Sequence, residues 1–204
     1  MPRKTSGLST TTLNHFLINA GAIYVNLGLP DERLLGATRD GVTFTIEQDV
    51  AELEVDGSPG PFLGGRRVIE VRPRIEATIL EVTAENLQLA LAGSQTADYT
   101  ETIEGGTTPT TPTHTAITRN RGIQASDYIA NVAIVGQMSG SGENFIGIIY
   151  NALSDGEFSF ETADSGEAGI ELSLTGHFDP ANITQEPWEI RIPKSTTDVT
   201  APTA

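Results

Sequence analysis

Two runs of strict alternation, separated by a turn-rich stretch, constrain this chain more than any other feature. Val42, Phe44 and Ile46 alternate with Thr43, Thr45 and Glu47, the two-residue period of a strand with one buried face. In the second run Ile69, Val71, Ile75, Ala77 and Ile79 share one face, and Glu70, Arg72, Arg74, Glu76 and Thr78 share the other. Between them stands Asp56-Gly-Ser-Pro-Gly-Pro-Phe-Leu-Gly-Gly-Arg-Arg67, a stretch built of turn formers. The two runs read as long antiparallel strands joined by an extended loop. Past Ile46 the phase flips, with Leu53 and Val55 apolar beside Glu52 and Glu54. A continuous pleat cannot change faces, so a bulge or bend is expected near Val50–Ala51. Pro73 lacks a ladder donor, and its nitrogen is expected to face an edge or a bulge.

The rest of the chain repeats this character. β-like stretches recur from Tyr128 to Met138, Phe145 to Tyr150, Glu157 to Glu161, Gly169 to Phe178 and Trp188 to Ile192, with the cleanest alternation in Ile170, Leu172, Leu174 and Phe178 against Glu171, Ser173, Thr175 and His177. A single short helix is expected after Thr83, with Thr83 as N-cap, Leu87 and Leu91 as an i,i+4 apolar pair and Gly93 as the stop. Residues 105–115 are Thr/Pro-rich and read as an exposed loop or arm, and 194–204 as a flexible C-terminal arm. The expected fold is mainly β: one β-sandwich or open barrel over residues 1–193 with one short flanking α-helix.

Composition excludes several functions. A formal charge of −15 argues against a general grip on nucleic-acid phosphates and against a polybasic membrane patch. Zero Cys removes disulfides, thiolate metal sites and thiol nucleophiles together, and suits folding in a reducing cytoplasm. Met1-Pro-Arg-Lys-Thr-Ser is basic, but no apolar run follows it. Asn14, His15, Asn19 and Asn26 interrupt the apolar residues from Leu13 to Leu29, so neither a leader nor a membrane helix is expected.

Catalytic patterns are absent or incomplete. Gly60 and Gly65 have phosphate-loop spacing, but Arg66 and Arg67 stand where Lys and Ser/Thr are required, and the flanks read strand to strand. Ser139 and Ser141 miss the spacing of a nucleophile elbow. His15, His114 and His177 are far apart, and each reads more readily as a surface or partly packed imidazole than as a metal ligand. Paired carboxylates carry little signal among 27 acids, and Asn182-Ile-Thr184 has no secretory leader to make it a glycosylation site. No enzyme, cofactor or metal is expected.

The stretch from Leu17 to Gly93 carries a resemblance. It runs Leu-Ile-Asn-Ala-Gly-Ala-Ile-Tyr-Val-Asn from Leu17, then Leu-Leu-Gly-Ala-Thr-Arg-Asp-Gly-Val-Thr-Phe from Leu34. The Val55–Arg67 loop follows, then a second long strand and a helix opening at Thr83-Ala-Glu-Asn-Leu. This order, over somewhat more than a third of the chain, resembles the major tail tube proteins of long-tailed bacteriophages, especially the non-contractile kind. The resemblance implies a virion protein assembled in the host cytoplasm, with hexameric rings stacked into a hollow tube that conducts DNA without binding it tightly. It implies as partners further copies of the chain, a tape measure protein, a tail terminator and baseplate or tip proteins.

Two sets of residues are assigned roles on this basis. The lumen-facing set is the polar face of the long strands: Thr43, Thr45, Glu47, Asp49, Glu70, Arg72, Arg74 and Glu76, with the arginines held by cross-strand carboxylates. The inter-subunit set is Gly57, Pro59, Pro61, Phe62, Leu63, Arg66 and Arg67, the arginines pairing with acids of the adjacent ring. A carbohydrate-binding or adhesive β-sandwich is the competing reading. Against it stand 6% aromatic content and a lone Trp188, whose alternation with Glu189 turns it inward.

Overall fold

A computed structural model describes residues 12–101, 109, 111–119, 122–139, 142–156, 158–163 and 166–194. The fold is mainly β. The strands are β1 (Leu17–Val25), β2 (Arg33–Leu34), β3 (Thr38–Glu52), β4 (Arg66–Ile79), β5 (Gln95–Tyr99), β6 (His114–Thr118), β7 (Ile129–Met138), β8 (Asn144–Ser154), β9 (Phe160–Ala163), β10 (Gly166–Thr175) and β11 (Trp188–Arg191). One helix, α1 (Ala84–Ala90), follows β4. The main sheet runs β2-β1-β7-β8-β10-β4-β3 and stays open at both ends, with β11 on β8 and β9 on β10.

The long hairpin expected from the alternation is present. β3 and β4 pair antiparallel from Thr38↔Ile79 to Glu52↔Arg66. The phase flip corresponds to a register shift between Asp49↔Glu70 and Val50↔Val68, where Ile69 of β4 is the extra residue. The bulge therefore lies at the expected level but on the partner strand, and Leu53 and Val55 fall past the end of β3. A second bulge, which the alternation does not reveal, sits at Asp40–Gly41, where Asp40 has φ of 60°. The Pro73 carbonyl accepts from Gly176 N at 2.9 Å. A strand residue's nitrogen and carbonyl point to the same side, so the missing donor faces away from β3, where β10 has just ended.

Apolar faces from both halves of the sheet close on one core: Ile23 and Val25 of β1, Val132 and Ile134 of β7, Ile149 of β8, Ile75 and Ile79 of β4, and Ile170, Leu172 and Leu174 of β10. Most of these side chains are fully buried, a state worth about 1.5–3 kcal/mol for each. β8 crosses from one half to the other at Asn151, whose φ is 48°. Its first half pairs with β7 and β11, and its last residues pair with β10. The strand expected to reach Phe178 ends at Thr175. A Cβ on Gly176 would stand 3.0 Å from both Pro187 O and the Pro73 side chain, so the chain passes there closely packed and turns away. The expected strand at 157–161 lies at Phe160–Ala163.

The helix is capped as expected. Thr83 Oγ1 accepts from Asn86 N at 3.2 Å, and Gly93 follows with φ of 72°. Asn86 is buried; its amide donates to Leu35 O and Glu81 O and its Oδ1 accepts from Arg33. The loop expected at 105–115 is in part a strand, since His114 and Thr115 belong to β6 and pair with Tyr99 and Asp98. Residues 105–108, 110 and 195–204 lie outside the described residues.

Gly36 gives a direct test of this packing. Its φ is 114°, and an added Cβ would meet the Glu81 carboxylate carbon at 2.5 Å. That carboxylate accepts from Ala37 N at 3.0 Å. Gly36→Ala is expected to cost about 1–3 kcal/mol from backbone strain alone, seen as a lowered midpoint in thermal unfolding. An unchanged midpoint would contradict the packing described.

Candidate assembly surface

The register of the hairpin brings the whole lumen-facing set together. Thr43 stands opposite Glu76, Thr45 opposite Arg74, Glu47 opposite Arg72 and Asp49 opposite Glu70. Directly paired residues share a face, so all eight lie on one side of the hairpin. Val42, Phe44, Ile75 and Val71 lie on the other, where the proximal part meets the core.

The arginines of this face are held differently from the expectation. Arg72 Nε donates to Glu70 Oε1 at 2.6 Å, on its own strand rather than across the hairpin. Arg74 lies 3.6 Å from Glu76, again on its own strand, and 3.6 Å from Asp155 at the end of β8. Residues two apart on one strand point the same way, and that neighbour reaches the guanidinium before the register partner does. The hydrogen bond and charge of Glu70 raise the Arg72 pKa above its ordinary value, with smaller contributions from Glu47 and Asp49. Glu47 and Asp49 form no ion pair among the described residues. The face is therefore net negative, and its two guanidiniums already have carboxylate partners.

Alternation could not show how far this surface continues. Asp155 accepts from Thr175 at 2.7 Å, and a groove of about 540 Å³ runs from Thr43 and Glu76 to Glu171 and Ser173 of β10. Arg39 meets Glu167 at 3.0 Å beside it. Asp155, Glu167, Glu171, Ser173 and Thr175 are remote in sequence from the hairpin. Alternation puts Glu171, Ser173 and Thr175 on one polar face of their own strand, but only the pairing of β10 with β4 joins that face to the hairpin's.

The loop set has mixed surroundings. Gly57 and Gly64 have φ of 89° and 85°. The Phe62 ring lies over Gly65 yet keeps 43% of its surface exposed, and Leu63 is fully exposed. Arg66 pairs with Glu52 across the base of the loop within one chain. Arg67 is exposed and carries no ion pair among the described residues. Beyond the core, the apolar side of the hairpin continues bare through Val50 (46% exposed), Val68 and Ile69 (65% exposed).

Among the described residues, no group of three or more His, Asp or Glu side chains is placed to hold a metal ion. No helix there is long and apolar enough to cross a membrane. Trp188 is partly buried against β8, opposite Ile149.

The acidic group with the most displaced titration lies away from this surface. Arg191 and then Tyr150 hydrogen-bond Glu189 and push its carboxyl down to about 2 from 4.5. A depressed carboxyl stabilises the fold above its unfolded pKa and loses that contribution as pH falls through the folded value. Acid destabilisation from this group is therefore expected between pH 4.5 and about 2. Glu189→Gln should flatten that limb of a melting-temperature profile, and an unaltered limb would contradict it.

No protein-family model matches this chain, and no curated protein is similar to it. Among solved structures, a chain of the cryo-EM structure of the anti-feeding prophage (AFP) baseplate, 6-fold symmetrised, is similar at 12% identity. The match covers 84% of this chain and 92% of that one, with a TM-score of 0.37.

Proposed function

We propose that this chain is a structural subunit of a long-tailed phage tail, self-assembling into stacked hexameric rings that form the DNA-conducting tube. The observation that carries this reading is the outer edge of β3, which pairs with no other strand among the described residues. It is fifteen residues long and ends the sheet, and its distal apolar side is bare. A long exposed edge is a template for pairing with another chain, and closing a ring of copies removes it. The sequence resemblance from Leu17 to Gly93 supplies the tail-tube context.

On this reading residues 1–193 form one tube domain and 194–204 an arm. The eight polar residues of the hairpin line the lumen, and the 57–67 loop meets a neighbouring copy through Phe62 and Leu63. Each guanidinium of the lining has a carboxylate nearby, Glu70 beside Arg72 and Glu76 with Asp155 beside Arg74, so a passing phosphate meets a face that is net negative. Tape measure, terminator and baseplate proteins are the expected partners. Negative-stain micrographs of the purified chain test the reading: ring stacks with a central hole support it, and dispersed monomers at every concentration overturn it.

A further inference from the structure

The hairpin carries an apolar projection at one end and a large hollow at the other. Phe62 and Leu63 stand at its tip, where Gly65 N donates to Phe62 O and Leu53 N donates to Gly65 O. The hollow, of about 550 Å³, is lined among others by Arg33, just before β3, and by Glu85, just past β4. Leu80 N donates to Ala37 O at 2.9 Å and closes the hairpin at that end. β3 is fifteen residues long, so tip and hollow stand roughly 45 Å apart at about 3.3 Å per residue. The loop of one copy therefore cannot fill the hollow of the same copy.

The two surfaces are complementary. Leu29, Leu89, Tyr128 and Ile129 give the hollow apolar walls, and Leu29 and Tyr128 are exposed at its rim. Apolar surface of this kind is stabilised by being covered. The charged groups of the hollow are one arginine, Arg33, against Asp31, Glu85 and Asp127. Arg33 donates to Asn86 Oδ1 at 2.8 Å, Asp31 accepts from Asn26, and Asp127 accepts from Gln124 N. Glu85 is exposed and engages no partner among the described residues. The hollow is thus net negative. Residues 57–67 are the reverse, with Arg66 and Arg67 and no acid. Arg66 is engaged by Glu52, whereas Arg67 is exposed and carries no ion pair among the described residues.

We propose that the hollow between α1 and the 26–32 turn receives the 57–67 loop of a second copy. Phe62 and Leu63 pack against Leu29, Leu89 and Tyr128, and Arg67 lies beside Glu85. The inference rests on reading the loop as an assembly contact, and it names the surface that the loop meets. Such a contact is heterologous: each copy gives a loop at one end and receives one at the other, so the contact propagates along an axis. A loop-to-loop contact would instead stop at two copies. Propagation along one axis is what stacked rings need.

The chain has no cysteine, so introduced thiols test the contact directly. Leu63→Cys mixed with Leu29→Cys should give disulfide-linked dimers under copper–phenanthroline oxidation, at least about tenfold above Leu63→Cys mixed with Ile183→Cys. Ile183, 72% exposed between β10 and β11, is the control for random collision. Arg67→Glu on the Leu63→Cys chain should cut the yield at least about tenfold, and Glu85→Arg on the Leu29→Cys chain should restore it. A yield equal to the control, or one that responds to neither charge reversal, would overturn the inference. Ring stacks without the linkage would leave the tube reading standing and reject this hollow. Charge-dependent linkage without rings would do the opposite.

Discussion

Deleting Pro59–Leu63 should leave a folded monomer that no longer polymerises. The loop's own hydrogen bonds are local, Ser58 N to Val55 O and Gly65 N to Phe62 O, and Leu53 N to Gly65 O at 2.7 Å closes its base. None of them reaches the core, so shortening the loop spares the fold. Phe62 and Leu63, by contrast, present apolar surface that no part of the same chain covers fully. Burying all of Leu63 and the exposed 43% of Phe62 against a neighbour is worth about 2–4 kcal/mol. Losing that contact weakens each association step by roughly one to three orders of magnitude. Sedimentation velocity and micrographs read the outcome, with circular dichroism to confirm folding. Tubes of ordinary length from the deletion would remove the loop from the assembly contact.

Replacing Glu47, Asp49, Glu70 and Glu76 with lysine should yield tubes that hold DNA at low salt. The eight-residue face changes from net −2 to net +6 in each chain. Loss of Glu70 and Glu76 also releases Arg72 and Arg74 from their nearest carboxylates. Phosphates within about 8 Å at physiological ionic strength then meet attraction in place of repulsion. Counterion release makes the capture steeply salt-dependent. Glu47→Lys with Asp49→Lys is the cleaner companion, because neither carboxylate is in an ion pair among the described residues. Co-sedimentation of DNA with purified tubes across a salt series measures retention, and ejection rates from virions carrying the variant measure its consequence. Wild-type retention and ejection at low salt would show that this face does not line the channel, or that its charge does not govern passage.

The sequence by itself determined the local geometry of the hairpin. Two-residue periodicity is a property of each strand's own backbone, so Thr43, Thr45, Glu47 and Asp49 could be placed on one face without knowing their neighbours. The same holds for the phase flip that marks the level of the bulge, and for Thr83, which caps its helix through a residue three positions on. Elements whose existence depends on partners were less legible. β1 carries a nine-residue strand through Asn19 and Gly21, where no alternation is clean, and pairing with β7 selects it. β6 emerges from a Thr/Pro-rich stretch because β5 lies opposite it.

Only the tertiary structure decided what completes each surface. Asp155, just past the end of β8, reaches Arg74 from about eighty residues away in sequence. Such contacts follow from topology, which is fixed by the sum of many weak pairings across the core and leaves no trace in any single stretch of sequence. Which arginine takes which carboxylate was settled the same way. Strand direction makes Glu70 and Glu47 both candidates for Arg72, and side-chain reach in the folded hairpin selects the one on its own strand.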